Sequence, residues 1–147
     1  MDTWEIAVRE SVRQTLADYT AGTDRFRLDD LAQCFAPHGV LDFTGGEPMV
    51  GPAAIAAGLG AQMGGSPARP TPLTHVRHHV SSVLFSAVTS ERVEVSSYFV
   101  VFTDVGVDHW GRYRDVLVPV EGRWLFSSRR ISVDGYSALS LMRATPE

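Results

Sequence analysis

The sequence predicts an α+β fold in which N-terminal helices cover one face of a strongly curved antiparallel sheet. Two observations carry that expectation. Ahead of Leu73 the chain holds helix-like apolar spacing, and from Leu73 onward it changes to long runs rich in β-branched and aromatic residues. The runs are joined by segments short enough for hairpins, "TSER" and "EG", which makes the sheet an antiparallel meander. A helix layer laid on a curved sheet leaves a pocket between the two, and chemistry is to be sought there.

Taken in order, Trp4, Val8, Val12, Leu16 and Tyr19 form one stripe, predicting an amphipathic helix of about five turns. Gly22, in "AGTD", is its expected terminator. "RLDDLAQCF" reads as a short second helix ended by Pro37, "GVLDF" as a strand and "GGEPMVG" as turns. "GPAAIAAGLGAQM" predicts a third helix, with Pro52 suited to its first turn. "GGSPARPTP" is a loop. Four strands follow: "THVRHHVSSVLFSAV", "RVEVSSYFVVFTDV", "HWGRYRDVLVPV" and "RWLFSSRRISVDG". The tail "YSALSLMRATPE" is expected as an edge segment or subunit contact.

With 147 residues, 44% hydrophobic and 20% charged, the chain is expected to form one domain over 1–147, globular rather than disordered. A net charge of −4 with scattered basic residues argues against nucleic-acid binding and against a basic membrane-surface patch. The single cysteine, Cys34, excludes an intrachain disulfide and a four-cysteine zinc site. Its apolar setting in "LAQCFAP" suits a buried structural thiol better than a nucleophile. "MDTWEIAVRE" has no apolar signal core, and no apolar run approaches the ~20 residues of a membrane span, so a cytoplasmic location is expected. No glycine-rich phosphate fingerprint is present, since "TGGEP" and "MGGSP" lack the strand–turn–helix setting.

Three of the five histidines fall in "PLTHVRHHVSS". Strand alternation puts His75 and His79 on one side and His78 on the other, so the three cannot converge on one ion without a bulge. No third ligand is identifiable, and no metal site is expected. One face then carries His78, Val80, Ser82 and Leu84. A strand histidine with a structural hydrogen bond is the plain alternative to an acid–base role. His109 reads as surface or rim.

The segments "DYTAGTDRFRLDDLAQCFAPHGVLDF", "VGPAAI", "RHHVSS", "GRYRDVLVPVEGRW" and "SRRISVDG", in this order and spacing, resemble the SnoaL-like group of the nuclear-transport-factor-like superfamily. The similarity spans about residues 5 to 135 and is greatest to the branch with scytalone dehydratase, the hexachlorocyclohexane dehydrochlorinase and the bile-acid dehydratase. It implies a cone-shaped, cystatin-like sheet. Matched position by position, it implies Asp24 as the catalytic aspartate and His78 as the catalytic histidine, with Ser82 facing the same cavity. Tyr19, Tyr113 and Asp115 match cavity-facing positions, with packing or a subunit contact as the alternative for Asp115, and Arg129 matches a cavity arginine, although a one-residue slip would hand that place to Arg130. Phe43 stands where scytalone dehydratase has a catalytic tyrosine and is expected, with Ser82, Asp115 and Arg129, to contact the substrate. That enzyme's second histidine and its asparagine have no good equivalents, so scytalone is not the expected substrate.

The chemistry suits such a dyad. Imidazole titrates near neutral pH, and an aspartate on one ring nitrogen leaves the other free as base while stabilising the imidazolium. Helix capping is the plain alternative for Asp24, and completion of the first helix's apolar stripe is that for Tyr19. Tyr19 and Tyr113 would donate hydrogen bonds to developing negative charge, and Arg129 would bind a substrate carboxylate, phenolate or carbonyl. The resemblance therefore implies a lyase of the dehydratase type, needing no cofactor and acting on an apolar, cyclic small molecule that is polyketide- or steroid-like. An isomerase or a polyketide cyclase would use the same residues. A non-catalytic ligand-binding module or oxygenase accessory subunit is the alternative from another class. A dyad bordering a closed apolar pocket favours catalysis; a pocket that is filled or open to solvent favours binding. A homo-oligomer, trimer or dimer, is expected.

Overall fold

The computed structural model describes residues 1–63 and 73–143. The order is α1 (Thr3–Asp24), α2 (Leu28–Ala32), β1 (Phe35–Phe43), β2 (Met49–Val50), α3 (Pro52–Met63), β3 (Arg77–Val88), β4 (Val93–Thr103), β5 (Gly106–Val120) and β6 (Arg123–Tyr136). The strands form one sheet in the order β2-β1-β6-β5-β4-β3. The four-strand meander is present, and β1 extends it by pairing parallel to β6, so the sheet is mixed and not purely antiparallel. The predicted loop "GGSPARPTP" lies outside the described residues.

Helix α1 packs against β6 and β3 through the stripe Val12, Leu16 and Tyr19, all buried. Trp4, at the head of that stripe, remains exposed. The helix ends at Asp24, not at Gly22; the turn is made by Arg25 and by Phe26 at φ 55°. Gly22 serves another purpose. A Cβ there would stand 2.9 Å from the Cβ of Leu31, so glycine lets α2 press against α1. The second helix is shorter than expected because β1 already begins at Phe35. Pro37 lies within that strand, at a register shift between Phe35 and Val40.

The inward face reads as cross-strand rows. His78, Val101 and His109 are direct neighbours across β3, β4 and β5, and Ser97 and Tyr113 share another row with Ile131. Strand β3 breaks its alternation with a bulge between Ser81 and Leu84, where Ser82 takes φ 52°. Val83 therefore turns inward and Leu84 outward. The tail returns to the sheet: Ser137 N–H donates to the Asp108 carbonyl, and Ser140 Oγ and Leu141 N–H reach the Asp108 carboxylate at 2.6 and 2.7 Å. None of the described helices is long and apolar enough to cross a membrane.

Candidate active site

Asp24 is the last residue of α1 and His78 the second of β3. The Asp24 carboxylate accepts from the His78 backbone N–H, 3.1 Å to each oxygen, and its Oδ1 lies 2.7 Å from His78 Nδ1. Facing a carboxylate, Nδ1 carries the proton, which leaves Nε2 as the basic nitrogen. The two side chains are 15% and 9% exposed, sheltered but reachable. Capping does not explain Asp24, because the residue at the α2 N-cap is Arg27 and no side chain bonds there. Moreover, a carboxylate in a helix's last turn lies at the negative end of its dipole, an unfavourable place that the His78 contacts offset.

The dyad borders a hollow of about 680 Å³ between α1 and β3. Leu16, Ala17, Ala21, Val80 and Val83 give it an apolar wall, and Arg13, Arg25 and Arg77 stand around it. These arginines are exposed, so the hollow is open to solvent rather than closed.

Four other predicted residues meet elsewhere, in a buried cluster. Arg129 is 0% exposed and forks onto Asp115 with two bonds of 2.9 Å. Its guanidinium lies 4.2, 3.9 and 4.4 Å from the ring centres of Tyr19, Tyr113 and Phe126. Arg130 is exposed and pairs with Asp42, so Arg129 is the one that points inward, but neither arginine lines the hollow. Burial pushes the Tyr19 hydroxyl up to about 12 and raises Tyr113 further, so both stay protonated; burial likewise raises Asp115, against the pull of Arg129. Arg129 Nη1 has no partner. Phe99 stands between the cluster and the dyad, stacked on Tyr113 with ring centres 4.6 Å apart and lying 6.5 Å from the His78 ring.

Three sequence expectations are corrected. Ser82 does not face the dyad's hollow: the bulge leaves it exposed, at a separate depression shared with Ser97 and Tyr113. Phe43 packs against the core and does not line the hollow. His109 is buried, not a rim residue; its Nδ1 lies 2.8 Å from Asp108, forming a second histidine–aspartate pair. Burial lowers the His109 pKa, while four hydrogen-bond donors outweigh burial at Asp108 and hold its carboxyl below the usual range.

The three clustered histidines disperse. His75 precedes β3 and reaches Asp104 at 3.1 Å, His78 takes Asp24, and His79 lies edge-on to Phe102 at 5.0 Å. Among the described residues, no three metal-ligating side chains gather. Cys34 is buried, and burial pushes its thiol up to about 11, consistent with an inert structural residue.

Residues 4–130, which include both members of the dyad, match the model of the SnoaL-like domain. This chain belongs to the SnoaL-like family. No curated protein sequence matches it. Among solved structures, a Catenulispora acidiphila protein in complex with S-DNPA is 27% identical, with a TM-score of 0.74, covering 88% of this chain and 95% of that one. A protein of cystatin-like fold from Nostoc punctiforme is 18% identical, with a TM-score of 0.74 and coverage of 92% and 95%. A candidate scytalone dehydratase from Novosphingobium aromaticivorans is also 18% identical, at 0.76, covering 95% and 97%. At that identity the last two show the fold alone, and the curved sheet of this SnoaL-like chain is of the cystatin-like kind described for the Nostoc protein.

Proposed function

We propose that this chain is a lyase of the dehydratase type, acting without a cofactor on an apolar cyclic small molecule that carries an acidic C–H beside a carbonyl. The observation that carries the reading is the 2.7 Å contact between Asp24 and His78 Nδ1 at the wall of a part-apolar hollow. In the step we propose, His78 Nε2 takes the proton from carbon. The C–H pair becomes the new double bond as the β C–O bond breaks, and the imidazolium returns its proton to the departing hydroxide as water. Asp24 holds the tautomer and stabilises the charged ring. Tyr19, Tyr113 and Arg129 are enclosed, so we assign them the part of holding the floor beneath Phe99 rather than touching substrate. The Catenulispora relative's complex with S-DNPA supports a small-molecule ligand in such a fold. We further propose that the chain works as a homo-oligomer.

The test is turnover of β-hydroxy ketones and polycyclic phenols by wild type and His78→Ala, with products analysed by mass. Loss of water identifies elimination, whereas isomerisation and ring closure conserve mass. Removing the base is expected to reduce turnover by about 10²–10⁴-fold. Equal turnover by the two proteins would refute the assignment. A second reading, a ligand-binding module, is favoured by the openness of the hollow; it predicts ligand retention with no chemistry in either protein.

A further inference from the structure

The hollow's charge runs against that of the chain. The sequence carries a net charge of −4, yet the hollow is lined by three arginines, Arg13, Arg25 and Arg77, and by one carboxylate, Asp24. With His78 neutral, the lining has an excess of two positive charges. Asp24 already accepts from the His78 N–H groups. Among the described residues, none of the three arginines lies within ion-pair distance of a carboxylate, whereas Arg9, Arg112 and Arg130 each have one.

The fold brings these guanidinium groups together from separate elements. Arg13 stands on the same face of α1 as Ala17, Thr20 and Asp24, three to four residues apart, and lies 5.0 Å from the Phe85 ring centre. Arg25 follows the last residue of α1, at the helix end that favours a cation. Arg77 opens β3 and by alternation should face away from His78. However, β3 is an edge strand, and the long side chain lines the hollow there while its Nη1 donates to the Val76 carbonyl at 2.7 Å, leaving its other N–H groups for a ligand. Each member of the dyad thus has an arginine as its chain neighbour.

We infer that the hollow takes an anionic substrate, an apolar ring system bearing a carboxylate. This rests on reading the hollow as the substrate site. The ring lies along Leu16, Ala17, Ala21, Val80 and Val83. The carboxylate is held in forked geometry by Arg25 and Arg77 with support from Arg13, which turns the ring's acidic C–H toward His78 Nε2. A neutral ester of the same shape keeps the apolar contact and forfeits the ionic one.

The test pairs 1-naphthylacetate, 2-naphthoate and 9-anthroate with their methyl esters, with affinities measured by calorimetry at low and high sodium chloride. At low salt at least one acid is expected to bind roughly tenfold more tightly than its ester, with the margin shrinking at high salt as exposed charges are screened. Arg25→Gln and Arg77→Gln are each expected to cut that preference by about three- to fivefold, the range of an exposed ion pair. Ester affinity stays level, and Arg25→Lys and Arg77→Lys restore part of the preference. No acid outbinding its ester, or a preference that survives the triple Arg13→Gln, Arg25→Gln and Arg77→Gln variant, overturns the proposal. The outcome is separable from the lyase reading: binding by His78→Ala reports on charge recognition alone, and its turnover reports on the base alone.

Discussion

Asp24 occupies a position that stability alone would not choose. It is a carboxylate in the last turn of α1, and its Oδ1 lies 2.7 Å from the Nδ1 of a ring that is 9% exposed. Exchange for asparagine keeps the size and removes the charge that stabilises an imidazolium. Asp24→Asn is therefore expected to reduce turnover by about 10²-fold or more while leaving the melting temperature level or higher, because the clash with the helix dipole is relieved. A kinetic assay beside a thermal melt checks both; a large fall in stability with unchanged turnover would make Asp24 a structural residue. The dyad was legible in the sequence only through the resemblance, since a helix end and a strand fifty-odd residues apart meet by tertiary folding. Arg129 was legible as the inward arginine, but its partner was not: bidentate pairing to Asp115 needs two strands in register, Asp115 opposite Arg129. His109, read as surface or rim, lies inside β5 next to Asp108. In the fold that aspartate is fully buried and binds the tail.

At the level of elements, the meander followed from composition and short connectors, whereas the bulge in β3 did not. Nothing in "HVSSVLF" marks Ser82 for a positive φ, so alternation carried Ser82 and Leu84 to the wrong face. The same limit hid the start of β1, where an apolar run continuing into Pro37 suits a helix end as well as a strand. The C-terminal segment offers an element-scale test. Thr103 Oγ1, His109 Nδ1, Ser140 Oγ and the Leu141 N–H all converge on the Asp108 carboxylate. Burial would raise its pKa, but those donors dominate and depress it. A depressed acid contributes stability that is complete above its unfolded value of about 4 and is lost as pH falls through the folded value. His109, lowered by burial, adds a penalty in the same direction as pH drops below about 6.5. The tail is thus expected to hold at neutral pH and release in acid, below pH about 4. Asp108→Asn should loosen it at neutral pH, read as faster amide exchange at Leu141 than in wild type. Unchanged protection of Leu141 in that variant would show that the tail is held by other contacts.

At the scale of the molecule, the two faces of the sheet have different fates. Among the described residues, the inward face is covered by α1 and by the aromatic cluster around Arg129, with the dyad's hollow where β3 meets the helix. The outward face of β3, β4 and β5 carries Leu84, Tyr98 and Trp110 at 63%, 56% and 41% exposure, and no helix of the described residues packs there. Large apolar side chains gathered on one uncovered face are a cost in water that a second copy of the chain would remove. A stable pair must bury roughly 1,200–2,000 Å² in total, which three strands of 11 to 15 residues are long enough to present. The expected mass by light scattering is accordingly a multiple of the 16.1 kDa chain. Tyr98→Glu, which places a charge in the middle of that face and on the side of the sheet away from the dyad's hollow, should shift the mass toward one chain while circular dichroism stays unchanged. Because Asp24 and His78 meet within one chain, the dissociated variant should keep its ligand affinity. A wild-type mass of one chain would mean that this face is simply tolerated in water.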